Sequence, residues 1–124
     1  IRLGVSSHAF WEVARALMVR PSYVACGPLF PTRAKAMPWI PQGIANLQYW
    51  ARLIPHPVIG IGGVTLDRLP AIRQTGCAGA SMIQAIVADA DPVAAFARLQ
   101  TAWFATPAPT SDPLPALARP TLAQ

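Results

Sequence analysis

Thr32 and Lys35 follow the turn Gly27-Pro28-Leu29-Phe30-Pro31, and Gly62-Gly63 follows Ile59-Gly60-Ile61; each group stands just after a short apolar run. A hydroxyl, a mobile ammonium and glycines whose backbone N–H groups an anion can approach closely are the parts of a phosphate site. A lone Gly-Gly after an apolar run is often only a turn. Two such loops in succession, with Ile83-Gln84-Ala85-Ile86 as a third candidate, point instead to phosphate held at the carboxyl ends of strands. Gly62, Gly63, Ile83 and Gln84 would act there through backbone atoms, so the side chain at position 84 matters less. Arg33 beside Thr32 is read first as a solvated loop charge, with a cation that serves the phosphate as the alternative.

Ser6-Ser7-His8 closes another strand-like run. A His near neutrality can move protons, but a structural His hydrogen-bonded at a strand end is the preferred expectation for His8. Trp11 and Trp50 suit core or rim packing. The segment Met37-Pro38-Trp39-Ile40-Pro41 suits a loop that folds over the site, with Trp39 excluding water, or plain packing on a neighbouring helix. Cys26 and Cys77 lack metal-like or CxxC spacing, which fits reduced, buried thiols in a cytoplasmic protein.

These residues need elements to position them, and the chain supplies a repeating pattern. Strand-like runs span Arg2 to Ser6, Ser22 to Cys26, Pro57 to Ile61 and Ala80 to Ile83, apolar on both alternating faces as parallel strands covered on both sides would be. Helical periodicity fills the gaps: Phe10, Val13, Leu17 and Met18 share one face, as do Ile44, Leu47, Ala51 and Ile54. Thr65 can cap a third helix whose regular part starts near Pro70. Asp91 and Pro92 form a clean start for a last helix reaching Trp103 or Phe104. Alternating strands and helices predict an α/β fold of parallel βαβ units. Four units are half of a (β/α)8 TIM barrel, and an isolated half leaves two open edges and an uncovered inner face, both of which invite association or aggregation.

Composition sets the limits. The chain has 124 residues, of which 53% are hydrophobic and only 12% charged, enough for one packed domain. We assign 1–104 to the half-barrel and 105–124 to a Pro-rich linker or disordered tail. The net charge of +5 comes from basic residues scattered without a cluster, which argues against nucleic acid and suits phosphorylated small molecules. No apolar run approaches the ~20 residues that cross a membrane. The opening at Ile1 in an apolar run, without initiator Met or leader pattern, is that of a piece of a longer polypeptide.

The order Gly4-Val5-Ser6-Ser7-His8, Tyr23-Val24 to Gly27-Pro28, Pro31-Thr32-Arg33-Ala34-Lys35, Gln42-Gly43, Ile61-Gly62-Gly63-Val64-Thr65 and Gly76-Cys77-Ala78-Gly79 through Ile86 closely resembles the carboxyl-terminal half of thiamine phosphate synthase and its thiazole tautomerase relatives. The resemblance covers roughly residues 1 to 100. It implies a barrel that joins an aminopyrimidine pyrophosphate to a thiazole phosphate and releases pyrophosphate, with thiazole tautomerase or a noncatalytic phosphate-binding fragment as alternatives. On the matching positions it implies that Thr32 and Lys35 contact phosphates, that Gly62 with the Ile83-Gln84 backbone holds the thiazole phosphate, that Ser6 lies near the pyrimidine and its diphosphate, and that His8 is a candidate acid/base. The sequence departs from the family at Ala34, where a second Thr is usual, and at Gln84, where a Ser is usual. The resemblance also implies Mg2+, but its carboxylate ligands belong to the four βα units that this chain lacks, so function would need the missing half-barrel or self-association. Glu12, Asp67, Asp89, Asp91 and Asp112 lie on helices, caps or the tail and make no two-carboxylate site.

Overall fold

A computed structural model describes residues 1–32 and 38–110 of the chain. Short runs rich in β-branched and small residues become β1 (Gly4–Ser7), β2 (Tyr23–Cys26), β3 (Val58–Ile61) and β4 (Gly79–Ser81). All pair in parallel in the order β1-β2-β3-β4, with Val5 opposite Val24, Ala25 opposite Ile59 and Gly60 opposite Ala80. Between and after them run α1 (Phe10–Met18), α2 (Gly43–Leu53), a 3₁₀ turn (Leu66–Arg68) leading into α3 (Leu69–Arg73), α4 (Gln84–Val87) and α5 (Pro92–Ala105). Pro70 sits in the first turn of α3, where its missing N–H costs no hydrogen bond. The Asp91 side chain accepts from the Ala94 N–H at 2.9 Å and caps α5.

The fourth strand starts and ends earlier than its apolar run. Ile83 leaves it because its carbonyl accepts the N–H groups of Ile86 and Val87 and so starts α4.

Helices connecting neighbouring parallel strands by right-handed crossovers fall on one face of the sheet. That face is the core: Val24, Cys26 and Val58 meet Val13 of α1, Leu47 and Trp50 of α2, Ile72 of α3 and Leu99 of α5. The opposite face is not covered by these helices, as expected of an isolated half-barrel with an uncovered inner face rather than of strands covered on both sides. Ser6, Ala25, Ile59, Ile61 and Ser81 line an open trough of about 690 Å3 there. The expected faces of the helices also needed adjustment, since Ala16 is buried in α1 whereas Phe10 and Met18 are exposed. Trp50 is 0% exposed and Trp11 58%, so one indole is core and the other rim.

Removing a fully buried aromatic leaves a cavity that the surrounding backbone closes only in part. Trp50→Ala should lower unfolding stability by about 3–5 kcal/mol, whereas Trp11→Ala should change it by no more than about 0.5 kcal/mol. Chemical denaturation followed by circular dichroism measures both. Equal losses would contradict this assignment of core and rim.

Candidate functional site

The two glycine-bearing loops are bound to each other. After β2, the Leu29 N–H donates to the Ile61 carbonyl at 2.8 Å and the Phe30 N–H to the Gly62 carbonyl at 3.1 Å. Gly62 and Gly63 have φ of +94° and +65°, left-handed conformations that residues with a Cβ avoid. A Cβ on Gly63 would also lie 2.8 Å from the Phe30 Cβ and 2.9 Å from the Pro31 carbonyl oxygen. Glycine is therefore required twice over, for backbone conformation and for the approach of the neighbouring loop.

Against this junction lies a cavity of about 270 Å3 lined by Thr32, Gly62, Gly63, Arg68, Ile83 and Gln84 among others. Because the Ile86 and Val87 N–H groups make the first bonds of α4, those of Gln84 and Ala85 precede the hydrogen-bonded turn and have no intrahelical acceptor. The structure thus brings Thr32, Gly62, Gly63, Ile83 and Gln84 together as expected. Gly27 has a different part: a Cβ there would meet the Ile61 Cγ2 at 2.6 Å, so this glycine serves loop packing. Arg33 and Lys35 lie outside the described residues.

Ser6 is exposed in the trough across the open sheet face, and Ile61 and Ser81 line both that trough and the cavity. The two spaces therefore share a wall, with Ser6 at one end and the glycine loop at the other. His8 lines neither of them and borders a groove of about 410 Å3 beside α1, which shares Ser6 with the trough. Glu12 Oε2 accepts from the His8 N–H at 2.5 Å and contacts His8 Nδ1 at 3.0 Å. Gln42 Nε2 donates to the His8 carbonyl at 2.8 Å, and Trp39 stacks on the imidazole with ring centroids 4.7 Å apart. The backbone, one ring nitrogen and one ring face of His8 are thus held. Trp39 contributes to that clamp.

Arg68 is the residue of this site that sequence reasoning missed. Its Nη1 donates to the Gly63 carbonyl at 2.5 Å, and its guanidinium sits 4.3 Å from the Phe30 ring centroid. The available signal was a cation within one helical turn of Thr65, the residue that ends the Gly-Gly loop and precedes the 3₁₀ turn.

Among the described residues, no three His, Cys, Asp or Glu side chains gather as metal ligands. Glu12 is committed to His8, Asp89 pairs with Arg98 at 2.6 Å, and Asp91 caps α5. The described residues do not form a Mg2+ site. Cys26 and Cys77 are free and buried. Burial, and then the neighbouring Cys77, push the Cys26 thiol up to about 12, which removes it as a thiolate nucleophile at neutral pH. Burial likewise raises the Cys77 thiol.

Residues 1–86 match the family described as thiamine monophosphate synthase. The thiamine-phosphate synthase of Enterobacter sp. (strain 638) is 44% identical over 100 residues, covering 80% of this chain and 47% of that protein. That of Cronobacter sakazakii is 47% identical over 87 residues, covering 69% and 41%. Among solved structures, the thiamine phosphate pyrophosphorylase from Pyrococcus furiosus superposes with a TM-score of 0.71 at 25% identity, over 83% of this chain and 48% of that one. A structure described as native KDPGal shares the fold with a TM-score of 0.61 at 20% identity. The chain spans just under half the length of these relatives, and its parallel β/α fold is that of part of a TIM barrel. No helix among the described residues is long and apolar enough to cross a membrane.

The clamp on His8 predicts an acid-sensitive stability. Partial burial pushes the Glu12 carboxyl up, but the bonds from the His8 N–H and ring outweigh it and hold the group below its ordinary value of 4.5. A carboxylate with a depressed folded pKa stabilises fully above its unfolded value and loses that contribution as pH falls through the folded one. Unfolding midpoints of the wild type should thus fall more steeply below pH 4.5 than those of Glu12→Gln. Parallel acid limbs in urea titrations of the two proteins would rule out this coupling.

Proposed function

This chain belongs to the thiamine monophosphate synthase family, and from that premise we propose that it is the carboxyl-terminal half of a (β/α)8 barrel that couples an aminopyrimidine pyrophosphate with thiazole phosphate. The observation that carries the reading is the single cavity uniting Thr32, Gly62, Gly63, Ile83 and Gln84, which shares Ile61 and Ser81 with the trough containing Ser6. Thiazole phosphate binds in the cavity, its phosphoryl oxygens accepting from the glycine-loop and α4 N–H groups. Ser6 orients the pyrimidine and its diphosphate at the other end of the trough. Thr32 and Lys35 donate to phosphate oxygens, and Arg33 offsets the hydroxyl absent at Ala34. These preorganised donors stabilise charge that develops on the departing diphosphate.

His8 holds the end of β1 in place rather than carrying a proton in this reading, which supports the synthase over a thiazole tautomerase. The first four βα units, joined to this chain or supplied by another copy, would close the barrel and contribute the groups for Mg2+. Reduced, buried thiols support a cytoplasmic setting.

Calorimetric titration with thiazole phosphate tests the cavity. Gly63→Val should weaken binding by about 100-fold, the loss of two charge-assisted hydrogen bonds, while Gln84→Ala should change it little because position 84 acts through its backbone. Equal affinity of the wild type and Gly63→Val would remove the cavity from consideration. Turnover is read separately: with the amino-terminal half of a relative supplied, thiamine phosphate should form and Lys35→Ala should slow it by about 100-fold or more. Binding without any turnover in that mixture would leave the noncatalytic alternative.

A further inference from the structure

Arg68 stands at the wall of the cavity with two restraints that do not involve a ligand. One is the hydrogen bond from Nη1 to the Gly63 carbonyl, and the other is the stack of the guanidinium on Phe30. The side chain is anchored at its base as well, because the Arg68 N–H donates to the Thr65 carbonyl at 3.1 Å in the 3₁₀ turn. Asp67 is its nearest acidic neighbour in sequence. The Thr65 side chain beside Asp67, followed by backbone hydrogen bonding, holds that carboxyl low, and it is fully exposed.

The consequence for the glycine loop follows from peptide planarity. In a trans peptide the carbonyl and the next residue's N–H point in opposite directions. The Gly62 carbonyl is taken by the Phe30 N–H, which turns the Gly63 N–H the other way. The Gly63 carbonyl is taken by Arg68, which does the same for the Val64 N–H. Glycines in the left-handed region carry no side chain to hold such an orientation, so both carbonyls need an outside donor. Arg68 supplies the second one. A guanidinium presents its donors in a rigid planar fork, which fixes the direction of the bond to Gly63.

We propose that Arg68 is a positioning residue for phosphate in this cavity: stacked on Phe30, it latches the Gly63 carbonyl so that the Val64 N–H is presented to the anion, and it places its own positive charge at the cavity wall. The proposal rests on the reading of the cavity as a phosphate site and adds to it the residue that orders that site.

Inorganic phosphate titrated against the 124-residue chain tests it, with hydrogen exchange of the Phe30 amide, which is bonded to the Gly62 carbonyl, read in the same samples. Arg68→Met keeps an unbranched stem against Phe30 but removes the donors and the charge. Its phosphate affinity should fall by about tenfold or more, its binding should depend less on salt, and exchange at Phe30 should quicken while the global unfolding midpoint stays put. Arg68→Lys should restore the salt dependence and part of the affinity, but not the slow exchange, because an ammonium lacks the planar fork. If Arg68→Met binds phosphate as the wild type does while Gly63→Val does not, the latch is wrong and the cavity stands. If Gly63→Val and Arg68→Met both bind as the wild type, or the wild type binds no phosphate, the cavity reading fails. In that case unchanged exchange in Arg68→Met overturns the latch as well, and quickened exchange supports it as an ordering contact.

Discussion

The arrangement of strand ends depends on the contact between the loop after β2 and the loop after β3. Two backbone hydrogen bonds join them, from Leu29 to Ile61 and from Phe30 to Gly62. They form only because Gly27, Gly62 and Gly63 allow the chains to approach, and because Leu29, 1% exposed, anchors its loop in the core. The same loop starts α2, since the Gln42 N–H bonds to the Pro28 carbonyl and the Gly43 N–H to that of Leu29. The Gln42 side chain then reaches the His8 carbonyl at the end of β1. One hydrogen-bonded line thus runs across the tops of three strands, and both candidate binding spaces are set by it.

The trough below that line is shaped by side-chain size. Ser6, Ala25, Ile59, Ile61 and Ser81 share the open face, with small residues on the outer strands and isoleucines in the middle. At the amino-terminal end the Tyr23 ring lies over Gly4, where any Cβ would collide with it. The ring thus takes up space at that end, while Ser6 and Ser81 leave the carboxyl-terminal end accessible.

The parts legible in the sequence were those governed by local chemistry. Alternating strands and helices, the Asp91-Pro92 start of α5 and the glycine loop each carry a signal within a few residues. The misjudged parts depended on partners far away in the chain. Gly27 resembled a phosphate-loop glycine until Ile61 was seen packed against it. Arg68 looked like any helical surface cation, because nothing local reveals that Phe30 lies under it. The apolar runs alone suggested cover on both sides, whereas the count of four units suggested an uncovered inner face. The count was the better guide because an apolar strand has the same composition whether its second face meets helices or an unfilled barrel interior. Arg33 and Lys35 belonged to the expected constellation, but they lie outside the described residues together with 111–124, which holds most of the expected tail.

Electrostatics adds an argument that geometry alone does not. The chain carries ten basic and five acidic residues, so the acids decide where positive potential survives. Glu12 is bound to His8, Asp89 to Arg98 and Asp91 to the start of α5, all away from the cavity lining, while Asp67 is exposed and interacts with the neighbouring Arg68. Among the described residues no carboxylate lines the cavity, whereas Arg68 does. A carboxylate there would repel a phosphate ester and would serve a metal cation instead. The distribution of charge therefore favours direct capture of an anion by backbone N–H groups and a guanidinium.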